Sequence, residues 1–301
     1  MVELNFGFWP TTWSLRFAGM TIDPLPKCDS TISEVFAHRY RLNDWIYPPL
    51  VRKSSFAEPR KRHTPIPAEV YQLPSTHRLH IPPRKTRDGV VLGEFLIAFL
   101  GLIDGIRLVP DGWSHFYRTK VKRHRLNDLV CNKPEIERLM ADAVTFWNAT
   151  PNKSIRSLIF GAIHWFLFSH SYTHQFEVFS AQYTVFDTLF RIHCTITPPN
   201  RTISHSHRPS YLCRAYRLPI PQWARMRSRR CALSTLRNDL VHEAQFAGRA
   251  IGFSAPAYRY PIATQLANLN SRIILSILGI RCRYVRTPVQ SRMMQSPGLL
   301  P

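Results

Sequence analysis

Acidic residues are nearly missing from the second half of this chain. Between residues 151 and 301 only Glu177, Asp187, Asp239 and Glu243 carry a carboxylate, against 19 lysines and arginines. Residues 1–150 hold 15 acids against 21 basic residues. So few carboxylates cannot readily cage two magnesium ions, which argues against a two-metal nuclease in the second half. Nucleotide-binding glycine motifs are also absent. There is no Gly-x-x-x-x-Gly-Lys-Ser/Thr and no Gly-x-Gly-x-x-Gly, so nucleotide hydrolysis and dinucleotide binding lack support. The six cysteines (Cys28, Cys131, Cys194, Cys213, Cys231 and Cys282) include no Cys-x-x-Cys pair. That excludes a disulfide framework and a cysteine zinc site, and it fits a reducing cytosol. No secretory signal is visible, because Glu3 and Pro10 interrupt the start of the chain. The longest apolar runs, Val90–Ile103 (broken by Glu94) and Leu158–Phe168, are too short to span a bilayer. The expectation is a soluble cytoplasmic protein with no membrane partner.

Two metal readings can be discounted. His242-Glu243-Ala244-Gln245-Phe246 begins like a zinc-protease helix, but Phe246 stands where the second histidine belongs. His170 and His174 are one turn apart, with His164 nearby, yet they lack cysteine or carboxylate company. No metal and no cofactor is expected.

What is present is positive charge on a folding-competent chain. The formal charge is +21 over 301 residues, with 45% hydrophobic content, far from the composition of a disordered chain. Arginines outnumber lysines 32 to 8, which suits phosphate and base-edge contacts but also fits a high-GC genome. Codon bias does not explain the missing acids. A half-chain of net +15 attracts polyanions.

The texture changes near residue 131, and the expectation is a β-rich domain over 1–131 and a helical domain over 132–301. The first part is punctuated by Trp9-Pro10, Pro24-Leu25-Pro26, Pro48-Pro49, Pro65-Ile66-Pro67 and Pro82-Pro83, with short apolar runs that read as strands and loops. Gly105–Pro110 followed by Asp111-Gly112-Trp113 reads as a strand entering a turn. Basic clusters (Arg60-Lys61-Arg62-His63, Arg84-Lys85-x-Arg87, Lys120 to Arg125) sit in its loops, where a solvated face is the bland reading.

From Asn132 helical periodicity takes over. Ile136, Leu139, Met140, Ala143, Val144 and Trp147 make one stripe behind Pro134. Ser154 is placed to cap a second helix, apolar nearly all round. A third, about Gln175–Arg191, carries the seam Phe176, Phe179, Tyr183, Phe186, Phe190, which reads as core or subunit interface. Residues 195–221 read as a loop, with a fourth helix starting at Gln222. After a Gly248-to-Pro261 loop, Leu266 to Leu278 form a last helix stopped at Gly279. The fold class is therefore α+β.

The fourth helix carries Arg237-Asn238-Asp239-Leu240-Val241-His242. Asn238 and His242 lie about 40° apart and one turn along, so they share a face. Arg237 points about 140° away from His242, but its side chain is long enough to wrap toward the same pocket. A permanent planar cation beside an imidazole that titrates near neutrality is a minimal kit for phosphoryl transfer without a metal. The bland alternative is a helix with an exposed arginine and a capping or core histidine.

In this helical, cationic setting the second half resembles the HEPN superfamily, specifically its ApeA-like branch. The resemblance rests on Leu236–Glu243 and on the upstream helix Phe176–Arg191, with Gln182-Tyr183 and Asp187-Thr188-Leu189-Phe190. Gly93-Glu94-Phe95 and Gly105–His115 look like the β-rich domain that precedes HEPN in that branch. The resemblance implies a helical bundle that usually dimerises and often cuts RNA without a metal. It implies His242 as general acid/base, Arg237 as stabiliser of the phosphorane charge, and Asn238 as the orienting group. Asp239 and Asp187 take supporting places, with Asp187 expected near the motif. Arg227, Arg229 and Arg230 are the candidate RNA-binding cations. The expected function is a homodimeric endoribonuclease using 2′-OH attack, with a place in anti-phage defence or stress. The alternatives are a HEPN-type scaffold that binds RNA or nucleotide without chemistry, and an interaction protein with codon-biased arginines.

Overall fold

The computed structural model describes residues 1–47, 71–83, 86–113, 115, 117–251, 261–289 and 294–299. Expectations for Arg60–His63, Arg84-Lys85, the prolines between 48 and 67, and the loop over 252–260 lie outside the described residues.

Alternation of buried and exposed side chains builds the first layer. It contains β1 (Val2–Gly7), β2 (Leu15–Phe17) and β3 (Met20–Pro24), then α1 (Cys28–Ala37), β4 (Arg41–Leu42), β5 (Trp45–Ile46) and β6 (His77–Ile81). After these come α2 (Thr86–Asp104), β7 (Val109–Pro110) and β8 (Thr119–Lys120). In β6 the residues His77, Leu79 and Ile81 point inward at the two-residue period of a strand. The main sheet is antiparallel in the order β2-β3-β6-β1-β7, with Val2 opposite Ile81 and Phe6 opposite His77. A small sheet joins β4, β5 and β8.

The helical part follows with α3 (Lys133–Ala149), α4 (Lys153–Ser169), α5 (Gln175–Ile196), α6 (Arg208–Ala215) and α7 (Ala232–His242). A hairpin of β9 (Gln245–Phe246) and β10 (Arg249–Ala250) precedes α8 (Pro261–Ile277). Asn132 and Glu135 form a reciprocal capping box on α3, and all six residues of its apolar stripe are buried. The architecture is α+β, and no helix among the described residues is long and apolar enough to cross a membrane. Most buried apolar side chains form one cluster that runs from Val2 through α2, α3, α4 and α5 to Val289, and Phe8, Val35, Ile46, Tyr71 and Val121 form a second, smaller one.

Several expectations are corrected. The first half holds two helices as well as strands. In α2 the apolar run 90–103 is nearly featureless, and such a run does not distinguish a strand from a buried helix. Gly93 and Gly101 within it mark close approach rather than a break. A Cβ at Gly93 would collide with Leu4 of β1, and one at Gly101 would stand 2.6 Å from the Ile106 carbonyl oxygen. The cap of α4 is Asn152, whose Oδ1 accepts from the Ser154 and Ile155 backbone N–H groups at 2.9 and 3.3 Å; Ser154 itself is already helical. That helix is not buried all round, since Trp165 is exposed. Residues 195–221 contain α6, started by Pro209 in its first turn. Gln222–Ala224 is a single 3-10 turn, fixed by the Trp223 indole donating to Gln265 Oε1 at 2.7 Å, and α7 begins only at Ala232.

Two features close the structure. Arg272 on α8 is fully buried and donates to Asp128 Oδ2 at 2.8 Å, to Asn268 O and Thr287 Oγ1 at 2.8 Å, and to Tyr284 Oη at 3.0 Å. The strip at 294–299 then lies against the start of the helical part, with Val130 N–H donating to Gln295 O and Gln295 N–H donating to Asp128 O, both at 2.8 Å.

The sheet also contains an acid-sensitive element. His77 is fully buried against Phe6 and Trp9, and burial pushes its pKa down to about 4. His115, equally buried beside Arg107, is held well below the usual histidine range by burial and then by that guanidinium. Both rings fold neutral, and the unfolded chain binds their protons first. Stability is therefore fully present above about pH 6.5 and is lost as pH falls toward 4. His77 alone contributes a shift worth on the order of 3 kcal/mol. Urea unfolding followed from pH 7 to pH 4.5 should show the loss, and His77→Phe should remove the part that His77 supplies while leaving that of His115.

Candidate active site

The helix that carries the motif is pinned on one side and open on the other. Leu233, Ser234 and Leu236 of α7 are buried, Arg237, Asn238, Asp239 and Leu240 are half-buried, and Val241 and His242 are exposed. Ser234 Oγ hydrogen-bonds Cys231 O and Ser206 Oγ, both at 2.9 Å, which ties the start of α7 to the turn before α6. At the other end the β9–β10 hairpin folds back and sets the Phe246 ring 5.5 Å from Phe179 of α5. Ala247 and Gly248 make its tight turn with φ of 55° and 74°.

Within this frame Arg237 does wrap around the helix. Its Nη1 donates to Asn238 Oδ1 at 3.1 Å and lies 3.2 Å from His242 Nε2. A guanidinium only donates, so in this contact His242 Nε2 is the acceptor. Both Nη1 protons are thereby used. Nε and Nη2, the edge that pairs bidentately with a phosphate, meet no acceptor among the described residues.

Arg237 forms part of the wall of a cavity of about 670 Å³, together with Tyr183, Asp187 and Phe190 of α5, Arg208 at the start of α6, and Val241. Asp187 accepts from Arg208 Nη1 at 2.6 Å, and the Arg208 guanidinium stacks 4.6 Å from the Phe190 ring centre. Tyr183 Oη is 2.9 Å from His205 Nδ1, which stands 4.0 Å from Asp187. Burial raises the Tyr183 phenol, with Asp187 adding to it, so its hydroxyl keeps its proton. Burial and then Arg208 lower His205, while Asp187 opposes them.

The sequence-derived residues fall into three places. Arg237, Asn238 and His242 touch one another, and Asp187 shares the cavity with Arg237. Asp239 is half-buried, and its carboxylate meets no hydrogen-bond or ion-pair partner among the described residues. Arg227, Arg229 and Arg230 are exposed in a tight turn, closed by Arg227 N–H donating to Arg230 O at 2.9 Å, just before α7. Sequence reasoning passed over His205, Arg208 and Tyr183 as site residues. The available signal was His205-x-His207-Arg208 in a cation-rich loop, and Tyr183 one turn before Asp187.

The seam on α5 is used internally. Phe179, Tyr183 and Phe186 are buried within this chain, and only Phe176 and Phe190 are half-exposed, so the seam offers little surplus apolar surface for a partner. No group of three or more histidine, cysteine or acidic side chains gathers in metal-binding proximity among the described residues. No family model matches this chain, and neither a curated protein nor a solved structure is similar to it.

Proposed function

We propose that this chain is a metal-independent endoribonuclease of the HEPN type, of the ApeA-like branch, acting in the cytoplasm. The observation that carries the reading is the Arg237 guanidinium, bridging Asn238 and His242 on the wall of a basic cavity with its phosphate-pairing edge free. The ribose 2′ oxygen attacks the adjacent phosphorus, and its proton passes to His242 Nε2, where the 2′ hydroxyl takes the place of the Arg237 Nη1 contact, an effect worth about 10²–10⁴ in rate. Arg237 stabilises the charge that develops on the phosphorane oxygens. Asn238 holds the guanidinium in place. The phosphorus–O5′ bond breaks, leaving a 2′,3′-cyclic phosphate and a 5′-hydroxyl.

The decisive experiment is incubation of the purified chain with mixed RNA in excess chelator, followed by mapping of the termini. Cleavage with cyclic-phosphate and 5′-hydroxyl ends is expected. A requirement for magnesium, or equal attack on DNA, would sink the mechanism. A role in anti-phage defence or stress belongs to the same proposal. It predicts that expression slows growth under phage challenge or at rest, through His242.

A second reading is a scaffold that binds RNA without cutting it, supported by the exposed Arg227, Arg229 and Arg230 turn. In that case His242→Ala leaves the cellular effect intact, while charge reversal at the three arginines abolishes it. Each phosphate neutralised on single-stranded RNA should contribute about −0.7 to the log–log salt slope, and a flat dependence would favour neither reading. Homodimerisation also belongs to the proposal, as the usual assembly of HEPN-type domains, with a symmetric two-fold pair the expected form.

A further inference from the structure

The proposed reaction moves two protons, one off the 2′ oxygen and one onto the departing 5′ oxygen, and His242 accounts for the first. We propose that His205 of the same chain is the second proton-transfer group, its Nε2 giving a proton to the 5′ oxygen. The inference rests on the ribonuclease reading and adds a general acid to it.

The geometry singles out this histidine. His205 Nδ1 is engaged by Tyr183 Oη at 2.9 Å, with Asp187 Oδ1 at 4.0 Å, and Asp187 is itself clamped by Arg208 at 2.6 Å. A ring held at Nδ1 by the Tyr183 hydroxyl, with the Asp187 carboxylate beyond it, presents Nε2 on its other side. The His205 side chain is 41% exposed, so Nε2 is open to a substrate. The adjacent Ser206 is hydrogen-bonded to Ser234, three residues before Arg237, which couples the turn to the helix that carries the motif. Tyr183, Asp187, Arg208 and Arg237 line one cavity. Neighbouring histidines lack this arrangement. His207 has its Nδ1 on Ser204 Oγ at 2.8 Å, and His193 is buried against Tyr216 at a separate cavity.

The step balances within one chain. The 2′ oxygen–phosphorus bond forms as His242 takes the 2′ proton, and the phosphorus–O5′ bond breaks as His205 releases its Nε2 proton to O5′. His205 ends neutral, still hydrogen-bonded through Nδ1, and exchange with water resets both rings. Tyr183 and Asp187 face it from α5, Arg208 from α6 and Arg237 from α7. Burial and the two guanidiniums lower its affinity for a proton, with Asp187 opposing. The acid form is therefore populated on the acid side of the usual histidine range, and RNA cleavage should decline as pH rises through that lowered value.

The test compares a dinucleotide with the nitrophenyl ester of uridine 3′-phosphate, whose leaving group departs without a proton. Both are assayed in chelator with the full chain, His205→Gln and His242→Ala. His205→Gln is expected to lose about 10²–10⁴ on the dinucleotide and less than tenfold on the ester, and to lose the high-pH decline. His242→Ala should lose both substrates. Activity of His205→Gln on the ester also certifies its fold. An unchanged dinucleotide rate, or equal losses on the two substrates, overturns the assignment of His205. Wild-type protein that cleaves neither overturns the ribonuclease reading underneath it.

Discussion

Asp128→Ala is expected to cost about 3–5 kcal/mol of stability. Its carboxylate is the only charge partner of Arg272 among the described residues, and both side chains are almost completely buried. Removing it leaves a guanidinium in the core with its cation uncompensated, and leaves the Tyr284 hydroxyl, which also donates to Asp128, without its acceptor. Desolvation of the stranded cation, rather than the Coulomb energy of the pair, sets the size of the effect. Replacing both partners with apolar side chains of similar volume, Asp128→Leu with Arg272→Met, should therefore recover most of the loss. Urea midpoints for the two single variants and the double variant are the measurement. A single-variant loss below 1 kcal/mol, or a double variant as unstable as the sum of the singles, would show that the pair is not what holds this region.

Arg237→Ala should lower RNA cleavage by about 10²–10³, the typical effect of removing one donor aimed at developing charge. Stability should hardly change, because Arg237 is half-exposed and alanine is the better helix former. Arg237→Lys should fail nearly as badly. An ammonium restores charge but cannot hold Asn238 and His242 through one nitrogen while pairing a phosphate with its remaining edge. Single-turnover rates with saturating RNA, read beside thermal melts, separate these effects. A lysine variant of normal activity would mean that Arg237 supplies charge alone. Loss of the fold in His242→Ala would contradict its exposed position and the role given to it.

Local pattern made part of this legible. The stripes on α3 and α8 follow a 3.6-residue period and end at real capping signals, so Asn132, Trp147 and Gly279 fall where the sequence puts them. The wrap of Arg237 toward His242 was also readable, because side-chain length and helix geometry are both local. By contrast, α2 was hidden because its run is apolar on every side, and because Gly93 and Gly101 look like breakers until Leu4 and Ile106 are seen against them. The late start of α7 depends on Trp223 reaching Gln265, 42 residues away. His205 is similar. Its neighbour Tyr183 lies 22 residues earlier, and the Ser206–Ser234 bond that fixes its turn spans 28. No local periodicity encodes such pairs, and nothing in the loop composition separates His205 from His207.

The strip at 294–299 has a consequence for synthesis. It lies along residues 128–130, and the buried cation that answers Asp128 sits 144 positions downstream of it. A nascent chain therefore emerges with the sheet and the first helices already able to collapse while their closing partners are still inside the ribosome. During that interval the flank around Leu129 and Cys131, fully covered in the finished protein, faces solvent beside an unanswered carboxylate. Vectorial folding cannot finish from the front. The Arg237 helix comes out before α8, so the candidate site acquires its supporting core only after Arg272 has emerged.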